Sequence, residues 1–171
     1  MRPPTAARRP PLWSTLLATA LGAGLLPVAP GTWGTALAVP LAIGLDQLGP
    51  LAFVVGTVLV TIVGVIAADV YCRATAQEDN QQIVIDEVAG YLVTLLLVPR
   101  TPINLAAAFV LFRIFDIWKP PPVRAIDRHI HGGLGVVADD VAAGVYAAAC
   151  LWLLDHFGLL GGLLARLTGG S

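Results

Sequence analysis

Long apolar runs, separated by polar breaks or by breaks rich in glycine and proline, dominate this chain. Six segments are expected to be helical, with approximate limits at residues 12–26, 35–48, 51–76, 83–98, 103–118 and 139–160. Residues 51–68 carry no charge, and a membrane span needs about 20 predominantly apolar residues. The first segment is short for a span, which is compatible with an interfacial or re-entrant helix. The pattern predicts an all-α, multipass membrane bundle of about five to six helices, some short or re-entrant.

Two tight turns, Gly49-Pro50 and residues 99–102, join consecutive segments into hairpins. Both turns are therefore predicted to lie on one side of the bundle. The loop at residues 27–34, the regions 69–87 and 113–137, and the start of the sixth segment fall on the other side. We expect a single membrane-embedded domain over residues 12–162, with a disordered lead at 1–11 and a flexible tail at 163–171.

The composition supports lipid as the solvent for much of the surface. Hydrophobic residues make up 57% of the chain and charged residues 12%, with a mean hydropathy of +0.80. Typical soluble domains carry about 25% charged residues. The net charge of −1 gives no general attraction to nucleic acid, so no nucleic-acid partner is expected.

The acidic residues are distributed unevenly between the two predicted sides. Of eleven acids, only Asp46 and Asp155 fall on the side of the tight turns. The other nine are Asp69, Glu78, Asp79, Asp86, Glu87, Asp116, Asp127, Asp139 and Asp140. Five basic residues share the acid-rich side and two lie opposite, so the positive-inside tendency places the acid-rich side in the cytoplasm.

Two pairs of adjacent carboxylates, Asp86-Glu87 and Asp139-Asp140, each precede an apolar helical run. Carboxylate oxygens are the ligands that Mg²⁺ prefers. Placing acids near apolar spans costs free energy, so their presence there favours a functional role. Acids are also common in the first turn of a helix, where the helix dipole favours them. Two pairs on one side are harder to explain by capping alone, since a bound cation would offset their mutual repulsion.

Candidate phosphate-binding groups accompany the acids. Arg113 and Asp116 are three residues apart and share a helix face, so they form either a structural ion pair or part of a phosphate site. Lys119 or Arg113 could neutralise phosphate. His131, in a glycine-containing loop, could protonate a leaving group, and Thr32 could hydrogen-bond phosphate. Ordinary loops remain the alternative for these last two residues.

The sequence lacks the motifs of several nucleophile-based mechanisms. Neither serine lies in a nucleophile elbow, no arginine follows Cys72 at the spacing of a cysteine phosphatase loop, and no P-loop is present. Metal-assisted attack by water, or attack by a carboxylate, is left as the natural chemistry.

Four motifs together resemble the phosphatidylglycerophosphatase A family. They are LLPVAPGTWGT at residues 25–35, IVIDEVAG at 83–90, FRIFDIWKPPPVRAIDRHIHGG at 112–133 and VADDVAAG at 137–144. The resemblance implies a Mg²⁺-dependent enzyme of the bacterial inner membrane that converts phosphatidylglycerophosphate to phosphatidylglycerol at the cytoplasmic face.

We therefore expect Asp86, Glu87, Asp139 and Asp140 to hold Mg²⁺, with Thr32, Arg113 and Lys119 on the phosphate. Asp86, Glu87, Asp116 and His131 form the expected catalytic set, in which Asp116 orients Arg113 or attacks phosphorus. A phosphatase for another lipid or small phosphate monoester is one alternative. Another is a non-catalytic ion-coupled carrier, although a carrier would distribute its acids through the membrane depth.

Overall fold

The computed structural model describes residues 9–77 and 80–162. Helices account for all regular secondary structure in these ranges, which confirms the all-α prediction. The α-helices are α1 (Leu12–Ala18), α2 (Pro30–Gln47), α3 (Pro50–Thr75), α4 (Ile85–Thr94), α5 (Pro102–Trp118), α6 (Val123–His129) and α7 (Gly132–His156), and a 3-10 helix spans Ala23–Leu25. The predicted tail at 163–171, most of the predicted lead, and the acids Glu78 and Asp79 lie outside the described residues.

Three predicted boundaries differ from the structure, and at two of them a helix begins with proline or glycine. The first segment ends as an α-helix at Ala18, and α2 begins at Pro30 rather than at residue 35. Proline suits the first position of a helix, where its missing N–H has no partner to lose. The region 119–138, expected to be a loop, contains α6 and the first two turns of α7. The sixth segment therefore begins at Gly132, and Asp139-Asp140 lies well inside a helix.

Helix α7 is at the centre of the bundle and packs against α3, α4, α5 and α6. Its contact with α4 is a backbone contact, because a Cβ atom on Gly144 would collide with the carbonyl oxygen of Gly90. Thr94 of α4 supports the crossing, because its hydroxyl lies within hydrogen-bond distance of Gly144 O in α7, at 3.4 Å. Small residues at such crossings let helices approach closely.

The two hairpin turns lie at the same end of the bundle, as predicted. Arg100, in the turn between α4 and α5, pairs with Asp46 at the end of α2 at 3.5 Å. Its guanidinium carbon also lies 4.1 Å from the ring centroid of Phe53 in α3. At the same end, Asn104 of α5 donates to Asp155 of α7 at 2.9 Å. The two acids assigned to this side are therefore found there.

Two of the described helices, α3 and α7, are long and apolar enough to cross a membrane. The mean hydropathy of their most apolar 18-residue windows is 2.7 and 1.6, and only 28% of the α3 window is buried inside the protein. The exposed surface of α3 includes large aliphatic side chains such as Val54, Val58, Ile62 and Ile66. Extensive exposed apolar surface of this kind marks a membrane or partner surface.

Candidate functional site

A cavity of about 480 Å³ opens at the end of the bundle opposite the hairpin turns. Its walls come from the start of α2, the start of α4, the end of α5, α6 and the first turns of α7. Six carboxylates line it: Asp86, Glu87, Asp116, Asp127, Asp139 and Asp140. Arg113 and Lys119 are its cationic residues. Six negative and two positive groups leave a formal charge of −4 among these residues, so the cavity favours cations.

Asp86, Glu87 and Asp140 form the tightest acidic group in the cavity. One carboxylate oxygen from each lies within 4.8 Å of the other two. Asp86 and Glu87 belong to the first turn of α4, where the Oδ1 atom of Asp86 accepts from the backbone N–H of Glu87 at 3.0 Å. Asp140 approaches from about two turns inside α7. The structure thus brings together residues from two separate sequence motifs.

The crossing of α4 and α7 explains why these carboxylates meet. Gly90 follows Asp86 by four residues, and Gly144 follows Asp140 by four residues. Residues four apart lie one above the other on a helix. Contact between the two glycines therefore places the carboxylates side by side about one turn away from the crossing point.

Burial raises the pKa of Asp86 well above its usual range, and the charges of Glu87 and Asp140 raise it further. Burial also raises the pKa of Glu87, against the lowering effect of its hydrogen bond with Asp86. Two buried oxygens, Glu87 Oε2 and Asp140 Oδ2, have no hydrogen-bond partner in the part of the chain that the structure describes. Clustered carboxylates with free oxygens are a donor set that suits Mg²⁺.

Arg113 lies beside this acidic group. Its Nη1 atom is 2.6 Å from Asp116 Oδ2 and 3.6 Å from Glu87 Oε1, and all three side chains are less than one-fifth exposed. The predicted pairing of Arg113 with Asp116 is therefore present. This contact holds the guanidinium at the edge of the acidic group, where a phosphate could reach both.

Lys119, which lines the same cavity, is held by two carboxylates. Its Nζ atom donates to Asp127 Oδ1 at 2.7 Å and to Asp139 Oδ2 at 2.6 Å. Burial opposes the charged form of Lys119, but its hydrogen bonds to Asp127 and Asp139 outweigh burial and raise its pKa. Asp139, expected among the metal ligands, thus contacts Lys119 and is absent from the group formed by Asp86, Glu87 and Asp140.

Asp127 was missed as a site residue because the region around it was interpreted as a loop. It lies on α6, eight residues after Lys119. The signal available in the sequence was the basic and acidic pattern VRAIDRH after three prolines, which is compatible with a short helix that begins after proline.

Of the two remaining predicted site residues, His131 lines the cavity and Thr32 does not. His131 immediately precedes α7, is exposed and lines the cavity. Thr32 is not among the lining residues, whereas its neighbours Pro30 and Gly31 are. Gly31 contacts the site closely, because a Cβ atom there would collide with Glu87 Oε1 and lie 2.9 Å from Arg113 Nη1.

Residues 16–155 match the family model described as Phosphatidylglycerophosphatase A. The chain belongs to this family. The cavity and the six carboxylates that line it fall within the residues matched to the phosphatidylglycerophosphatase A model.

Named relatives agree with the phosphatidylglycerophosphatase A assignment. The phosphatidylglycerophosphatase A of Escherichia coli is 38% identical over 151 residues, covering 85% of this chain and 86% of that protein. The protein of the same name in Haemophilus influenzae is 36% identical, covering 83% of this chain and 88% of its own. A Bacteroides thetaiotaomicron protein, provisionally named phosphatidylinositol-3-phosphatase, is 40% identical over 86% of this chain and 99% of its own. No solved structure shows a significant match to the chain.

Proposed function

We propose that this protein is a membrane phosphatase that hydrolyses phosphatidylglycerophosphate to phosphatidylglycerol and phosphate, with Mg²⁺ as its cofactor. One observation carries the proposal: a three-carboxylate group lies in the same cavity as Arg113 and Lys119. Such a cavity suits a metal ion and a phosphate group together. The names of the Escherichia coli and Haemophilus influenzae relatives supply the lipid.

In this proposal, Asp86, Glu87 and Asp140 hold the ion. Their oxygens come within 4.8 Å of one another, and Mg²⁺ usually takes one or two protein carboxylates together with waters and substrate phosphate. When bound, the ion supplies charge neutralisation on the phosphoryl oxygens and activation of water. Asp139 has a different role, which is to hold Lys119 through their 2.6 Å contact.

Arg113 and Lys119, which line the same cavity, bind the phosphate. Asp116, at 2.6 Å from Arg113, fixes the guanidinium in place, which favours an orienting role over attack on phosphorus. A water molecule attacks the phosphorus atom and gives one proton to a carboxylate of the cavity, the ester P–O bond breaks, and the released lipid oxygen takes a proton. His131 is positioned to give that proton, since it lines the cavity and is exposed to solvent.

The cavity faces the cytoplasm in the proposed topology, and the protein is a multipass component of the bacterial inner membrane. Helices α3 and α7 cross the bilayer, while α4 has 10 residues and, at 1.5 Å rise per residue, is too short to span. The headgroup enters at the membrane surface and the acyl chains stay in the lipid. The excess of basic residues on the cavity side supports this orientation.

A second lipid substrate is favoured by one specific observation. The relative provisionally named phosphatidylinositol-3-phosphatase is 40% identical and matches over 99% of its length. Its name refers to a phosphoinositide substrate. Hydrolysis of a phosphoinositide is therefore the alternative activity.

The decisive experiment measures phosphate release by the purified full-length protein in mixed micelles. The substrates are phosphatidylglycerophosphate, phosphatidylinositol 3-phosphate and phosphatidic acid, each with Mg²⁺ or with a chelator. Asp140→Asn is compared with Asp155→Asn, an equivalent change on the same helix at the end away from the cavity.

We expect phosphatidylglycerophosphate to be the preferred substrate and the chelator to abolish its hydrolysis. Asp140→Asn is expected to lower kcat about a hundredfold or more, the scale seen when one charge-stabilising group is lost, while Asp155→Asn retains activity. Turnover that survives both the chelator and Asp140→Asn would rule out the metal-dependent mechanism. Absence of phosphate release from every lipid would favour the carrier alternative.

A further inference from the structure

A second concave surface lies on the other side of the first turn of α4. It is a groove of about 450 Å³, and every residue that lines it is aliphatic. Ile85 lines this groove, while the next residue, Asp86, lines the carboxylate cavity. Adjacent helical residues point about 100° apart, so a single turn of α4 separates an apolar space from the charged one.

The groove and the cavity also share α2. Pro30 and Gly31 line the cavity, and Leu37 and Leu41 line the groove further along the same helix. At 1.5 Å per residue, Leu37 and Leu41 lie roughly 10 and 16 Å beyond Pro30. The groove therefore begins close to the phosphate site and continues away from it along the bundle.

The depth of the groove matches the hydrocarbon layer in the proposed topology. Leu59, Val60 and Val63 of α3 form one wall, and the cavity-side end of that helix is Thr75. The first charged residue toward that end is Asp69, which pairs with Arg73. The three wall residues lie roughly 9–15 Å from Asp69 along the helix axis, in a span whose hydrocarbon core is about 30 Å thick. Because the lining at this depth is wholly aliphatic, the groove favours an apolar occupant.

The short helix α1 supplies the remaining wall and is fixed in place. The carbonyl oxygen of Ala18 accepts from the backbone N–H of Val84 at 2.8 Å, which ties the end of α1 to the start of α4. Ala20 and Leu21 then adopt left-handed backbone conformations, with φ of 44° and 58°, and both line the groove. Such conformations are costly for residues with a Cβ atom and persist where the surroundings enforce them.

We propose that this groove binds one acyl chain of the same lipid whose phosphate enters the carboxylate cavity. The inference rests on the proposed lipid phosphatase activity and adds a chain-binding subsite to it. Its basis is the continuity of the two spaces along α2 and α4, together with an aliphatic lining at hydrocarbon depth. A volume of 450 Å³ also falls within the usual range of ligand pockets, about 300–1,000 Å³.

Two matched substitutions on α3 test the proposal by kinetics. Val63→Phe fills the groove, whereas Val58→Phe makes the same change at an exposed position outside it. Leu37→Phe fills the groove from α2. A second variant is needed because Val63→Phe alone could lose activity through a folding defect. Each protein is assayed with dioleoyl phosphatidylglycerophosphate and with the deacylated, water-soluble headgroup phosphate.

We expect the two groove variants to raise KM for the diacyl lipid about tenfold. This is the loss in affinity when about two methylene groups of the acyl chain are no longer buried. Their kcat/KM for the deacylated substrate should match the wild type, and Val58→Phe should match it for both substrates. Equal lipid kinetics in all proteins would overturn the groove assignment and leave the phosphatase intact. Equal losses on both substrates would also overturn it.

A binding measurement that needs no turnover completes the test. Phosphatidylglycerol with a photoactivatable diazirine in one chain is crosslinked to the wild-type protein in micelles, and the labelled residues are mapped by mass spectrometry. Labelling concentrated on Leu37 and Val63 supports the proposal. Labelling as dense at Val58 as at Leu37 and Val63 contradicts it. Failure of the phosphatase activity itself appears separately, as absence of phosphate release by the wild type.

Discussion

Gly31 offers a sharp test of the group formed by Asp86, Glu87 and Asp140, because Gly31 lies directly against Glu87. A methyl group at residue 31 would collide with Glu87 Oε1, lie 3.0 Å from Glu87 Cδ and lie 2.9 Å from Arg113 Nη1. The substitution Gly31→Ala therefore adds a single carbon atom at the point where the carboxylate and the guanidinium meet. No charge or hydrogen-bonding group is removed.

The expected effects of Gly31→Ala on stability and on activity depend on which atoms can move. The obstructing atom is the end of a flexible side chain, so Glu87 can turn away at modest cost and the protein should remain folded. Overpacking typically costs about 1–3 kcal/mol, and replacing helical glycine by alanine returns up to about 1 kcal/mol. A displacement of about 1 Å at a catalytic group can lower the rate about 10²-fold. Activity should therefore fall far more than stability.

The assay is Mg²⁺-dependent phosphate release, with a Mg²⁺ titration and a thermal melt for each protein. Gly44→Ala is the matched control, since Gly44 also lies in α2 and no atom outside its immediate surroundings comes within 4 Å of the added carbon. It should retain full activity and gain some stability. Adding Glu87→Asp to Gly31→Ala should restore part of the activity, because the aspartate side chain is shorter. Wild-type turnover and Mg²⁺ affinity in Gly31→Ala would refute the reasoning.

Two further predictions concern stability. The pKa values of Asp86 and Glu87 are raised in the folded state, so the metal-free folded protein binds more protons than the unfolded chain. In chelator, its free energy of unfolding should therefore fall as pH rises above about 4, by about 1.4 kcal/mol per pH unit for each proton of difference, and its Tm should fall with it. Added Mg²⁺ should raise Tm more at pH 8 than at pH 5, and a chelator profile that rises with pH would contradict this. At the other end, Arg100→Met should lose the contacts with Asp46 and Phe53 and lower stability by about 1–2 kcal/mol, with kcat unchanged; a matching loss of kcat would show that this end affects the site.

The meeting of distant acids could be predicted because it follows from connectivity. Apolar runs joined by tight turns at Pro50 and residues 99–102 must alternate in direction, so Asp86 and Asp140 had to reach the same end. The placement of Asp46 and Asp155 follows from the same argument, and their contacts with Arg100 and Asn104 bear it out.

The incorrect loop before Asp139 was suggested by glycines at the start of α7, of which Gly133 packs against α3. Gly132, Gly133 and Gly135 suggested a loop before Asp139, since glycine usually marks loops. In the structure they belong to α7, and a Cβ atom on Gly133 would collide with the backbone carbonyl of Val65 in α3. A single sequence does not distinguish a glycine needed for a turn from one needed for close helix contact.

The position of α6 could not be predicted for a related reason. Its seven residues give too short a period to separate a helix from a polar loop. The contact between Lys119 and Asp127 depends on that helix, so neither the contact nor the diversion of Asp139 toward Lys119 could be derived from spacing. Similarly, choosing between Gly31 and Thr32 required knowing which side of α2 faces the cavity.

The crossing of Gly90 and Gly144 has a consequence for engineering the protein. Because main-chain contact between α4 and α7 sets the separation of Asp86 from Asp140, the spacing does not depend on what those two side chains are. Histidine or asparagine ligands could be installed at either position to change metal preference without rebuilding the scaffold. Alanine at either glycine, which keeps every ligand residue, should push the helices apart, widen the gap between ligands and shift selectivity toward larger ions.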